Sequence, residues 1–481
     1  MGDQQEMTAG MSGSADASAQ AANETGVDNS PVTGKEYVGY AAGMAGYQMQ
    51  NSIMNQYLLV FCTNVLGITA LAAGTMTMAC KFIDAVTDLF FGTLGDRTHT
   101  RWGSYKPWYV VCAIPACVAF MFLFTKPGFI TAGTVAALIW AYVIYLIFGS
   151  IFTTVQQTAY GAFTTVVTAR NSERNKLVVF RSIGMNVSQL GSALLAMPLI
   201  LFFGHGEATS ASGFSGMAIV VGLISIVCYM FCGLAVKERV PLNKGKKIPL
   251  KDSIKVFKGN RMMIGIIFFN VFQMMSTALW ASLMTYYYIY YKQNPGLISS
   301  VQLLGTAFGI AASIVVLPRL MRLMEKKKVY LVSAITYIIG YGFVFFLGDM
   351  DWALYVFMIC FSVGQTFAMT SYYSMIPDAV DYGEWKSGVA APGFVNTVIT
   401  FIQKATTGFG TFITGALLTA IGFQQALGME QLESTRQGIK AAFSIAPLAA
   451  IVLSLLGFLF MRMKPEEMEK IRAELKVRRA K

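Results

Sequence analysis

Apolar runs long enough to cross a bilayer recur along almost the whole chain, near 39–66, 72–95, 108–125, 132–167, 178–204 and 213–236, then 262–290, 297–320, 329–348, 352–374, 393–421 and 441–463. A helix rises ~1.5 Å per residue, so about 20 apolar residues cover the ~30 Å hydrocarbon core, with every backbone group paired inside the segment. The pattern predicts an all-α membrane protein with about twelve transmembrane helices. Charged residues make up only 13% of the chain, well under the ~25% of soluble domains.

The formal net charge of +12 could suggest a nucleic-acid binder, but Lys and Arg stand in short blocks between the apolar runs. Arg97, Arg101 and Lys106 follow the second run, Arg170, Arg174 and Lys176 the fourth, and nine basic residues lie between Lys237 and Arg261. This is the positive-inside pattern: it argues against nucleic acid and predicts a multi-pass protein of the cell (inner) membrane with both termini cytoplasmic. The expected organisation is a disordered cytoplasmic tail at 1–34, a six-helix half at 35–236, a basic middle loop at 237–261, a second six-helix half at 262–464 and a basic tail at 465–481. The first segment has no signal-peptide pattern. The last reads as an amphipathic helix drawn to anionic membrane lipid. Two six-helix halves about a long basic loop form the layout of a major-facilitator transporter, whose substrate site lies near the midplane between the halves.

Enzyme chemistry finds no foothold. The seven cysteines are scattered without metal or disulfide spacing, and His99 and His205 fall in loops on opposite sides of the membrane. No nucleophile–base pair stands out, so the chain is read as a non-enzyme without a cofactor.

The informative polar groups lie inside the apolar runs. Asp84 and Asp88 are four residues apart in the second run, on one helix face. A carboxylate at membrane depth costs at least ~2.5 kcal/mol, which calls for a compensating cation, proton or basic partner. They are read as a cation site. Just beyond, Gly92 and Gly95 precede Asp96 and Arg101, which could pair across the cytoplasmic face as a gate.

The run Asp84-Ala-Val-Thr-Asp88, followed by GDRTHTRWGSYKPW, resembles the signature of the glycoside–pentoside–hexuronide:cation symporters, the melibiose permease type, within the major facilitator superfamily. A second block, IPDAVDYGEWKSG at 376–388, is closely similar to the motif that follows the tenth helix in that family. With Lys404 on helix 11, the resemblance covers roughly residues 36–465. It implies a cation-coupled symporter that imports a glycoside or related sugar by alternating access.

The resemblance also implies roles, position by position. Asp84 and Asp88 match the pair that binds the coupling Na⁺, Li⁺ or H⁺, with Thr154 as a further oxygen. Thr87 stands where the family pattern has an asparagine linked to Na⁺ use, which leaves both Na⁺ and H⁺ open. Lys404 matches the lysine between cation and sugar sites, and Thr400 shares its helix face. The family's charged sugar ligands are replaced by Tyr47, Gln48 and Gln157, while Arg181 is retained. Amides can donate and accept without charge, so a hydroxyl-rich ligand fits. Tyr160, Tyr372 and Tyr373 are candidate rings for the apolar face of a sugar.

Two further expectations follow. Arg181 and Lys404 balance Asp84 and Asp88, so a bound monovalent cation would leave the site net positive and favour an anionic cargo such as a hexuronide or sulfonated sugar. Asp378, Asp381 and Glu384 fall in an expected cytoplasmic loop opposite basic loops, as candidate gate ion pairs. The alternative cargo is a non-sugar amphiphile such as a lysolipid; the alternative class is a membrane sensor or enzyme.

Overall fold

The computed structural model describes residues 30–95, 98, 100, 102–168, 170–240, 254–257, 259–388, 392–428, 430–460 and 465–479. Within them the chain forms twelve long helices and one short final one. The first six are α1 (Gly34–Asn64), α2 (Ala70–Gly95), α3 (Lys106–Leu123), α4 (Val135–Val166), α5 (Asn171–Phe203) and α6 (Ala211–Ala235). Then come α7 (Arg261–Tyr291), α8 (Leu297–Leu323), α9 (Lys326–Leu347), α10 (Asp351–Ser387), α11 (Pro392–Ala420), α12 (Glu433–Gly457) and α13 (Pro465–Arg479). Among the described residues nine helices are long and apolar enough to cross a membrane by length and composition alone. The other three long ones, α1, α2 and α11, carry Gln48, Asp84, Asp88, Thr400 and Lys404. Their lower hydropathy reflects side chains turned toward one another and toward cavities rather than toward lipid.

Helices α1–α6 pack mainly among themselves, as do α7–α12, and the two sets meet chiefly where α2 crosses α11, α5 meets α8 and α1 meets α7. The α2–α11 crossing is close because both helices present small residues. A Cβ added at Gly415 would lie 2.3 Å from the Ala70 carbonyl oxygen, and one at Gly408 would lie 2.7 Å from Cβ of Lys81. Such small-residue contacts are how helices associate where burial against lipid supplies little driving force.

The start of α1 is tied to the end of α6. The Thr33 backbone N–H donates to Glu36 at 2.7 Å in a capping box, and Arg239 donates to both Glu36 oxygens at 2.7 and 2.9 Å. This end of the bundle is here called the termini side. At the opposite side a series of hydrogen bonds joins the two halves. Thr63 and Tyr286 share one at 2.8 Å, Tyr290 donates to Asn64, Thr285 donates to the Gln56 carbonyl at 3.1 Å, and Gln425 donates to the Gly67 carbonyl at 3.2 Å. The bundle is stitched shut there.

One expected loop is helix. Asp378, Asp381 and Glu384 lie on α10, which runs on through Pro377 and ends at Gly388 with φ +72°. The extension is held by packing: Met468, Ile471 and Leu475 of α13 bury against Tyr382 and Trp385, and Trp385 donates to Glu474 at 2.7 Å. The apolar stripe of the tail is therefore covered by the protein itself.

Candidate cation and substrate sites

Asp84 and Asp88 sit in the second half of α2, and their surroundings differ. Asp84 is buried, 4% exposed, and accepts a hydrogen bond from the Ser150 hydroxyl of α4. Ser150 lies in a π-helical stretch, Leu146–Thr153, whose wider turn lets the backbone of Gly149 approach the carboxylate. A Cβ at Gly149 would stand 3.2 Å from both Asp84 oxygens. Asp88, one turn nearer the termini side, receives the Lys404 ammonium from α11 at 2.7 Å. It also borders a cavity of about 480 Å³ shared with Gln157, Asn396 and Thr400.

Lys81 belongs to this group and was not singled out from the sequence. It is 8% exposed and within electrostatic reach of Asp84, Asp88 and Lys404. The signal was available: Lys81 precedes Asp84 by three residues, on the same helix face. Its presence corrects the charge count drawn from sequence. Two lysines already match the two carboxylates, and Arg181 borders a smaller neighbouring cavity that meets the Asp88 cavity at Gln157 and Gly161. The oxygens that a monovalent cation could use are the Asp84 and Asp88 carboxylates and the Ser150 hydroxyl, once Lys404 gives way. Hard cations take such oxygen donors.

The remaining candidates divide among three places. Thr87 and Thr154 turn their hydroxyls to backbone carbonyls, of Asp84 at 3.0 Å and Gly149 at 3.1 Å, so both shape the helices beside Asp84. Tyr47, Gln157, Tyr160 and Arg181 border a small cavity of about 30 Å³. There the Tyr160 ring is stacked on Tyr40 with centroids 4.4 Å apart, and its hydroxyl donates to the Tyr40 carbonyl at 2.9 Å. Gln48 faces neither. It borders a central cavity of about 270 Å³ between the halves, together with Ser52, Gln56, Gln189, Trp280 and Gln302. Tyr372 is buried against Phe269, whereas Tyr373 is 57% exposed.

Of this central cavity, sequence reasoning found Gln48 alone. Ser52, Asn55 and Gln56 continue its helical stripe at the fourth, seventh and eighth positions, a periodicity that was legible. Trp280 and Gln302 are single residues in apolar surroundings and gave no signal. On α11, Thr400 borders the Asp88 cavity and Thr407 the central one, with Lys404 between them on the same face. One helix stripe thus runs from the carboxylates to the central cavity.

The gate candidates are partly placed. Asp96 and Arg101 lie outside the described residues. Asp378 pairs with Lys326 at 2.7 Å and with Arg472, so its partners come from α9 and α13 rather than from the other half.

The chain is similar over residues 39–464 to the model of the family described as MFS/sugar transport protein. It is 28% identical to the uncharacterized symporter YnaJ of Bacillus subtilis (strain 168), over 92% of this chain and 95% of that one. It is 29% identical to the isoprimeverose transporter of Lactiplantibacillus pentosus, over 89% and 88%. In fold it is similar to a bacterial homolog of the human lysosomal transporter Spinster, solved in an inward-facing, unoccupied conformation, with a TM-score of 0.66, 12% identity and coverage of 93% and 99%. A match across nearly the whole chain, with twelve helices in two sets of six and both signature blocks, places this protein among the major-facilitator sugar transporters, in the glycoside–pentoside–hexuronide symporter family.

Proposed function

We propose that this protein imports a glycoside or related sugar across the cytoplasmic membrane, driven by a coupling ion, H⁺ or Na⁺, that enters at Asp84 and Asp88. The observation that carries the reading is the Lys404–Asp88 pair, because it links α11 of one half to α2 of the other beside a cavity. A cation arriving at Asp88 competes with the ammonium. Once displaced, Lys404 no longer holds α11 to α2, and the tie between halves is loosened. Ion and sugar are then linked reciprocally: whatever the ion adds to sugar affinity, the sugar adds to ion affinity. The seal opposite the termini and the cavity at Asp88 fit a state closed to the outside and open toward the cytoplasm.

The test is sugar accumulation in proteoliposomes containing the purified chain, driven in turn by a Na⁺ gradient and by a pH gradient. Isoprimeverose, the sugar named for a relative, is the first probe. Asp88→Cys should abolish accumulation while leaving sugar exchange in place. Accumulation at wild-type level in that variant would remove the coupling role.

A further inference from the structure

We propose that the central cavity is a saccharide site built by both halves and selective for an uncharged sugar, with Trp280 and Gln302 as the determinants contributed by the C-terminal half. This rests on the transport reading above and adds to it the charge class of the cargo and the residues that select it.

Three observations carry it. The first is the chemistry of the wall: among the described residues its fifteen lining side chains include no Asp, Glu, Lys, Arg or His, while amides and hydroxyls come from both halves. A carboxylate or sulfonate placed there would be a buried charge without a counter-ion, a costly arrangement. A sugar hydroxyl, which both donates and accepts, meets amides that do the same. At about 270 Å³ the cavity falls near the lower end of the ~300–1,000 Å³ typical of ligand sites, which suits one or two sugar rings.

The second is a pair of hydrogen-bond donors left without partners. Among the described residues Trp280 Nε1 and Gln56 Nε2 have no acceptor and lie beneath the cavity surface, while Gln302 Nε2 donates to Gln56 Oε1 at 3.0 Å across the gap between halves. Buried donors are rarely left unpaired, and the flexible amide of Gln56, whose side chain borders the cavity, can turn its donor to a ligand oxygen.

The third is that the indole is held in place. Trp280 stacks on Phe361 with centroids 4.1 Å apart and planes 24° from parallel. One turn on from Phe361, Gln365 accepts hydrogen bonds from Thr277 and Tyr337, at 3.4 and 2.7 Å. A fixed indole offers a flat apolar surface, a match for the C–H face of a sugar ring. Gln56 also receives the Thr285 hydroxyl on its backbone carbonyl, so the groups that would meet the sugar belong to the seal between the halves.

The test uses the purified full-length protein in nanodiscs and two probes, isoprimeverose as the neutral sugar and methyl β-D-glucuronide as the anion, with binding followed by calorimetry. The wild type should bind the neutral probe at least tenfold more tightly, and Trp280→Leu and Gln302→Leu should each weaken that binding at least tenfold. Tighter binding of the glucuronide, or unchanged isoprimeverose binding in both variants, overturns the proposal while leaving sugar transport intact. Binding of neither probe, nor of any saccharide in a wider panel, overturns the transport reading together with this one. A measurement independent of the two variants is maleimide labelling of Ser52→Cys: isoprimeverose should slow it several-fold, and the absence of protection counts against the site.

Discussion

Lys404 Nζ stands 2.7 Å from Asp88 Oδ2 and 2.9 Å from Oδ1, so a single ammonium bridges both oxygens of a carboxylate on the other half of the bundle. The side chains are 18% and 23% exposed, which sets the pair between a surface bridge and a buried one. Lys404→Met or Asp88→Asn should therefore cost about 1–3 kcal/mol, above the ~0–1 of exposed pairs and below the ~3–5 of broken buried ones. The double variant should recover part of that loss, since neither charge is then orphaned. Thermal unfolding in detergent of the four proteins closes the cycle; strictly additive losses would mean that the two side chains do not interact.

The α2–α11 crossing predicts a steric penalty. Gly415→Ala brings a methyl group to 2.3 Å of the Ala70 carbonyl oxygen, where only backbone can yield. Overpacking of this kind costs roughly 1–3 kcal/mol, so a clear fall in melting temperature is expected. Gly161→Ala, where nothing lies within 4 Å, is the matched control and should melt like the wild type.

The hydrogen bonds at the end opposite the termini should set how often the bundle opens on that side. Removing the hydroxyls of Tyr286 and Tyr290 deletes the bonds to Thr63 and Asn64. At about 0.5–1.5 kcal/mol each, the double Phe variant should raise the population open on that side by roughly tenfold or more. The readout is the rate at which a membrane-impermeant maleimide applied from that side modifies Ser52→Cys. An unchanged rate would show that the seal is held elsewhere.

The carboxyl of Asp349, in the turn between α9 and α10, is held below the ordinary carboxylate range. The hydrogen bond from the Tyr291 hydroxyl is the main cause; partial burial works against it, and Lys440 and Lys292 act with it. For a depressed acid the sign is fixed: the stabilising contribution is fully present above the unfolded value near ~3.9 and is lost as pH falls through the lower folded one. Wild type should therefore melt higher than Asp349→Asn at neutral pH, and the two curves should converge in strong acid. A gap that persists unchanged below pH ~3 would contradict this origin.

Much of this architecture was legible because lipid imposes a single rule, that an apolar run must pair its own backbone. The runs near 132–167 and 393–421 became α4 and α11 within a few residues. Reading failed where packing decides instead of hydropathy. The polar end of α10 looked like loop because Asp378, Asp381 and Glu384 break the apolar run, yet α13 covers its apolar residues and holds it helical. The site was half visible for a similar reason. Asp84, Asp88 and Lys404 are conspicuous as charges in apolar runs, and Lys81 is legible by its three-residue spacing from Asp84. Gln302 and Trp280 differ from ordinary core residues only by what lies across the gap, and one strand of sequence carries no record of that.

The 37 residues of α10 form one continuous rod, about 55 Å long at 1.5 Å per residue and nearly twice the ~30 Å lipid interior. Its far tip, with α13 clamped along it, is the end of a lever: a tilt of ~5° about the centre of the rod moves Trp385, ~24 Å along, by about 2 Å. A fluorophore placed there would read each turnover as displacement, making the tip a built-in pointer for the transport cycle.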